Sequence, residues 1–102
     1  MARRLNLQNE FIQILGTQNV YFQPPASVKL KYPCIVYKIA SRDTIKADDM
    51  SYAGHVRYEV TFICRDPDSE LPEKLLKHFR YISHIRNYPA DNLHHDVFIL
   101  YY

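Results

Sequence analysis

His55-Val56-Arg57-Tyr58-Glu59-Val60-Thr61-Phe62-Ile63-Cys64-Arg65, then Asp66-Pro67-Asp68-Ser69, then Glu70-Leu71-Pro72-Glu73-Lys74-Leu75-Leu76-Lys77-His78-Phe79, is the stretch that decides the fold. Val56, Tyr58, Val60, Phe62 and Cys64 alternate with His55, Arg57, Glu59, Thr61 and Arg65, which is the period-two pattern of a strand lying on a core. Pro67 cannot donate to a ladder and the Asp and Ser side chains favour turns, so the strand stops at 66–69. From Ser69 the period lengthens. Leu71, Leu75, Leu76 and Phe79 share one arc of a helical wheel, with Glu70, Glu73, Lys74, Lys77, His78 and Arg80 around the rest. Asp68 or Ser69 is the expected cap, and Pro72 is tolerable in a first turn whose N–H groups lack intrahelical acceptors. A strand, a tight turn and a helix folding back onto the strand therefore need other segments to complete their core.

Before this unit, Leu5–Leu15 is expected to form a helix. Leu7, Phe11, Ile14 and Leu15 lie on one side, Leu5 and Ile12 at its margin, and Gly16 serves as C-cap. Residues 20–23 suggest a short strand cut off by Pro24-Pro25, and the chain to Tyr32 should be extended. Residues 34–40 form a further strand with Ile35, Tyr37 and Ile39 on one face. After the second helix, Tyr81–Tyr88 is expected as a strand, Pro89-Ala90-Asp91-Asn92 as a turn and Val97–Tyr102 as the last strand. Val97, Ile99 and Tyr101 oppose Phe98, Leu100 and Tyr102, so that strand is apolar on both faces and must be covered on both. Two short helices cover only one face of a four- or five-stranded sheet. The expectation is an α+β fold: a mainly antiparallel four- to five-stranded sheet, two helices on one face, and a second face meeting a partner.

The chain has 102 residues, 47% hydrophobic and 24% charged, with a net charge of +2, which bounds it to one α+β domain over residues 1–102. A mixed surface with no block of like charge longer than Arg3-Arg4 counts against a module that relies on a basic face. Residues 6–10 are too polar for a signal peptide and no run is long enough to span a membrane, so synthesis in the cytoplasm is expected. Cys34 and Cys64 are expected as free, buried thiols. The connection 42–54 far exceeds a hairpin loop of about two to five residues. It carries Asp43, Asp48 and Asp49 together with Ile45, Met50 and Tyr52, and is expected to protrude and order against a neighbouring subunit or partner, the plainer alternative being a mobile solvated loop.

Chemistry is sparse. The chain has only two glycines, at 16 and 54, and so lacks a phosphate-cradling loop. No Cys/His spacing matches zinc. His94-His95-Asp96 is the most suggestive cluster, but on an extended segment the two histidines face opposite ways. His84 could complete a loose His/His/Asp set across a hairpin; the plainer expectation is a polar turn whose Asp96 accepts from backbone N–H groups. No catalytic, cofactor or metal residues are assigned, and the expectation is a protein that is not an enzyme. Nine tyrosines and no tryptophan suit protein contacts as well as core edges.

Tyr32-Pro33-Cys34-Ile35-Val36-Tyr37, Ala47-Asp48-Asp49 with Tyr52-Ala53, and Arg57-Tyr58-Glu59-Val60-Thr61 make up the first half of a resemblance. Asp66-Pro67-Asp68-Ser69 with Leu71-Pro72-Glu73-Lys74-Leu75, Asp91-Asn92-Leu93-His94-His95-Asp96-Val97-Phe98 and Tyr101-Tyr102 complete it. Together they resemble the small tail-completion, or tail-terminator, proteins of tailed bacteriophages that infect Gram-positive bacteria. The likeness runs from Tyr32 onward and departs at His94, where family members usually carry asparagine. It implies a ring, typically a hexamer, that caps the head-proximal end of the tail tube, stops its polymerisation and meets head-completion proteins. DNA would pass through the ring without sequence-specific binding, and the location would be the tail or neck of the virion. An alternative within the class is a head–tail connector (adaptor or stopper); a small nucleic-acid-binding module is the rival outside it. Residues expected at the ring or tail-tube interface are Ile45, Asp48, Asp49, Met50, Tyr52, Asp91, Asn92, Leu93, His95 and Tyr101, because a closed ring joins two different patches.

Overall fold

The computed structural model describes residues 2–41 and 56–102. The elements are α1 (Ala2–Leu15), β1 (Val20–Phe22), β2 (Cys34–Ser41), β3 (Arg57–Cys64), α2 (Leu71–His78), β4 (Ile82–Ala90) and β5 (Leu93–Tyr101). One five-stranded sheet has the order β1-β2-β3-β5-β4, with β1 parallel to β2 and every other pair antiparallel. The α+β class and the two helices on one face agree with the sequence reading.

The alternation along β3 places Tyr58, Val60, Phe62 and Cys64 on the helix-covered face, where they pack with Ile35 and Tyr37 of β2 and Phe98 and Leu100 of β5. Leu7 and Phe11 from α1 and Leu71, Leu75 and Phe79 from the α2 segment close over them. Tyr37 is the hub. Its ring meets Phe11 at 5.1 Å, Phe22 at 5.0 Å and Tyr58 at 5.9 Å, edge-on or tilted geometries that aromatic quadrupoles favour. Its hydroxyl donates to Gln8 Oε1 at 2.7 Å and accepts from Arg4 at 3.3 Å, while the Arg4 guanidinium lies 4.3 Å from the centroid of Phe22. A fully buried phenol is thus satisfied by one turn of α1.

Several expectations are corrected. α2 starts at Leu71 with Glu70 at the N-cap position and no side-chain bond from it. Ser69, one residue earlier, satisfies a first-turn donor, its Oγ accepting from the Leu71 N–H at 3.2 Å, while Asp66 Oδ1 accepts from the Asp68 N–H at 2.9 Å within the turn. The helix is only eight residues long, so its buried arc narrows to Leu71 and Leu75, and Leu76 is 40% exposed. Gly16 does cap α1, at φ 85° with its N–H on Ile12 O at 2.8 Å.

The hairpin turn is tighter than the expected 89–92. Pro89 and Ala90 still pair with His94 and Leu93, leaving Asp91 and Asn92 at φ 54° and 63° as a type I′ turn. Pro89 is accommodated because β4 is an edge strand. A β-branched residue at Asn92 would strain the left-handed backbone, so Asn92→Val should lower stability by about 1–2 kcal/mol. Asn92→Gly, which relieves that strain, should be neutral or stabilising. Chemical denaturation of the two variants tests the pair.

Both cysteines are free and buried, Cys34 among the residues of the second face and Cys64 under the helices. Burial raises the Cys34 thiol from 9.0 to about 12, with the Cys64 sulfur adding to the effect, and burial also raises Cys64. A raised folded value means the folded state holds the proton more tightly. The stability this contributes is present below about pH 9 and is lost as pH climbs towards 12. At pH 8 the folded protein should react with a chromogenic disulfide reagent far more slowly than the denatured chain, which exposes both thiols.

Candidate interaction surface

The sheet has a helix-covered face and a second face, and the second is where the expected partner would sit. It carries Tyr21 of β1, Val36 and Lys38 of β2, Arg57, Glu59, Thr61 and Ile63 of β3, and Leu93, His95, Val97, Ile99 and Tyr101 of β5. The segment between β1 and β2 crosses one end of this face. Leu30 and Tyr32 pack there with Tyr21 and Val36 against the small cluster Cys34, Ile63 and Leu93. The chain therefore supplies part of its own cover, which the sequence reading did not foresee. Val97 is buried, but Ile99, Thr61 and Tyr101 at the other end are only half-buried.

Of the expected interface residues, Ile45, Asp48, Asp49, Met50 and Tyr52 lie outside the described residues, as does the rest of the 42–54 connection. Asp91 and Asn92 stand exposed at the hairpin tip. Leu93 is 7% exposed and belongs to the Cys34–Ile63 cluster, so it serves the protomer's own core. His95 is half-buried and stacks on Tyr88 with ring centroids 4.7 Å apart and 13° between planes. Its Nδ1 is buried without a hydrogen-bond partner. Tyr101 lies opposite Arg57 at the far end of β5. These residues are therefore spread along the hairpin and do not converge.

β4 is the other open element. Seven of its nine residues are exposed, Ile85 at 50% and Tyr88 at 37%, and Ile85 is left out of the ladder where the register shifts between His84 and Arg86. Long edges of this kind are templates for pairing, and the irregularity and Pro89 blunt that tendency.

The histidine cluster resolves as strand geometry demands. His94 and Asp96 point to the helix-covered face while His95 points to the second. Among the described residues Asp96 accepts from side chains rather than from the backbone N–H groups expected. Its Oδ1 meets His84 Nε2 at 3.0 Å and Asn87 Nδ2 at 2.8 Å, so it binds β4 to β5 by side chains. Among the described residues no group of three His, Cys, Asp or Glu side chains could hold a metal ion.

Two clefts open at the helix-covered side. One, about 410 Å³, lies beside Glu10, which accepts from the Tyr102 hydroxyl and meets His78 Nε2 at 2.7 Å, tying α1, α2 and the end of β5 together. The other, about 440 Å³, lies between Leu15, Tyr32, Phe62 and Arg65. The second is also lined by Cys64, Asp66 and Ser69; burial raises the Cys64 thiol, which donates to the Asp66 backbone carbonyl at 3.2 Å. No described helix is long and apolar enough to cross a membrane. Comparison with family models, with curated proteins and with solved structures gave no match.

Proposed function

We propose that this chain is a structural virion protein that caps the head-proximal end of a phage tail tube as a ring of identical copies. The ring terminates tail polymerisation and joins tail to head; it is a hexamer by the resemblance described above, and it acts by binding rather than by turnover. The copies are made in the host cytoplasm and end in the tail or neck of the virion. The observation that supports this reading is the position of β5. It is apolar on both sides and central in the sheet, yet among the described residues the helices cover only one face and residues 30–36 only one end of the other. Ile85 and Tyr88 stand exposed on β4, and Ile99 on β5 is only half-buried.

Light scattering on the purified protein, alone and mixed with the tail-tube protein, tests the proposal. A mass several times that of the 12.1 kDa protomer, or capped tubes of fixed length, is the expected result. A monomer that leaves tube growth unchanged refutes it. Capping by a ring that also binds a portal-side protein more tightly than the tube would favour the connector alternative.

A further inference from the structure

Among the described residues, the second face away from Leu30 and Tyr32 is cationic. Lys38 on β2 and Arg57 on β3 lie at one end and Arg86 on β4 near the middle; Glu59 is the one acid among the described residues there, and none of the three cations has an ion-pair partner among them. The strand acid of β5, Asp96, sits on the other face and is engaged by His84 and Asn87. Lys29 and Lys31 are exposed on either side of Leu30 where the β1–β2 segment crosses the same face. Arg57 supplies an independent indication: its Nε is buried and finds no acceptor, a costly state for a charged donor unless something else completes it.

We infer that the surface from Arg57 to Arg86 docks an acidic segment of a partner protein, with carboxylates seated on the two guanidinium groups. Arg57 pairs with Tyr101 and Arg86 with Val97, on strands either side of β5. At about 3.4 Å per residue and about 4.8 Å per strand, the two stand roughly 16 Å apart. Between them lie Thr61, Ile99 and Tyr101, and Arg86 covers the Tyr88 ring at 5.7 Å. Arginine and tyrosine are enriched at protein interfaces. A nucleic-acid groove would need more cations than three on the sheet and would not place Glu59 in their midst. The inference stands apart from the ring proposal, since a monomer could bind in the same way.

Titration of isotopically labelled protein with a dodeca-glutamate peptide, followed by amide shifts, tests it. The shifts should gather on Lys38, Glu59, Ile99, Arg57 and Arg86, and the double variant R57Q/R86Q should weaken binding about tenfold, the worth of two partly screened ion pairs. The R57Q/R86Q protein should keep the unperturbed spectrum elsewhere, which separates lost binding from lost folding. Shifts on Lys74, Lys77 and Arg80 instead, or affinity unmoved by R57Q/R86Q, overturn the inference. Tighter binding of a short DNA duplex at the same residues assigns the face to nucleic acid and also overturns it. Binding seen only after D43N/D48N/D49N overturns it too, because the chain's own acidic connection then fills the face; absence of binding in both proteins does the same.

Discussion

The Tyr37→Ala protein should melt about 15–25 °C below the unaltered chain. Emptying a fully buried aromatic site costs about 3–5 kcal/mol, and a domain of this length loses roughly 5 °C per kcal/mol. Tyr37 justifies the upper part of that range because three rings lie within 6 Å of it, so the cavity cannot close by moving one neighbour. Arg4 and Gln8 would also lose the hydroxyl that organises them. Tyr37→Phe isolates the polar share: it keeps the ring contacts and should cost about 1 kcal/mol, near 5 °C. Thermal unfolding of both variants is the measurement. A Tyr37→Ala shift below about 5 °C would mean that the core is not centred where the ring contacts place it.

Removing residues 45–52 should abolish ring formation and tube capping while leaving the fold intact. Among the described residues the core clusters already join both helices and all five strands. The β2–β3 ladder runs out to Ser41 opposite Arg57, so a shorter connection can still join the strands. Halving the connection reduces its closure cost by only about 0.6 kcal/mol, so stability should change little. Circular dichroism should therefore be native, with scattering at the mass of one protomer. A deletion protein that still assembles and caps tubes would show that the acidic connection is not the assembly element. It would leave the ring proposal itself to the full-length experiment.

Legibility followed locality. The alternation from Val56 to Cys64 identified both the strand and its buried face, because a two-residue period needs no knowledge of the partner strand. The same test failed on β5 before Val97. His94 and Asp96 looked like turn residues, yet they alternate correctly with Leu93, His95 and Val97 once Asp91 and Asn92 make the turn alone. Leu76 misled for a related reason. An eight-residue helix crossing a twisted sheet buries a narrower stripe than the wheel suggests, and two leucines suffice. Among the candidate interface residues, the exposed hairpin tip could be read from Asp-Asn alone, whereas the burial of Leu93 depends on Cys34 and Ile63, far away in the chain.

By itself the sequence determined the α+β class, the positions of most elements, the two free buried cysteines and the two-sided apolar character of the last strand. All of these follow from residue type and spacing within a few positions. Tertiary structure decided the parallel pairing of β1 with β2, the place of β5 between β3 and β4, and the folding of residues 30–32 over one end of the second face. It also decided that Lys38, Arg57 and Arg86, from three separate strands, share one surface. Those outcomes rest on which strands become neighbours, and non-local contacts balance burial against loop entropy across the whole chain, so no short window of residues contains them.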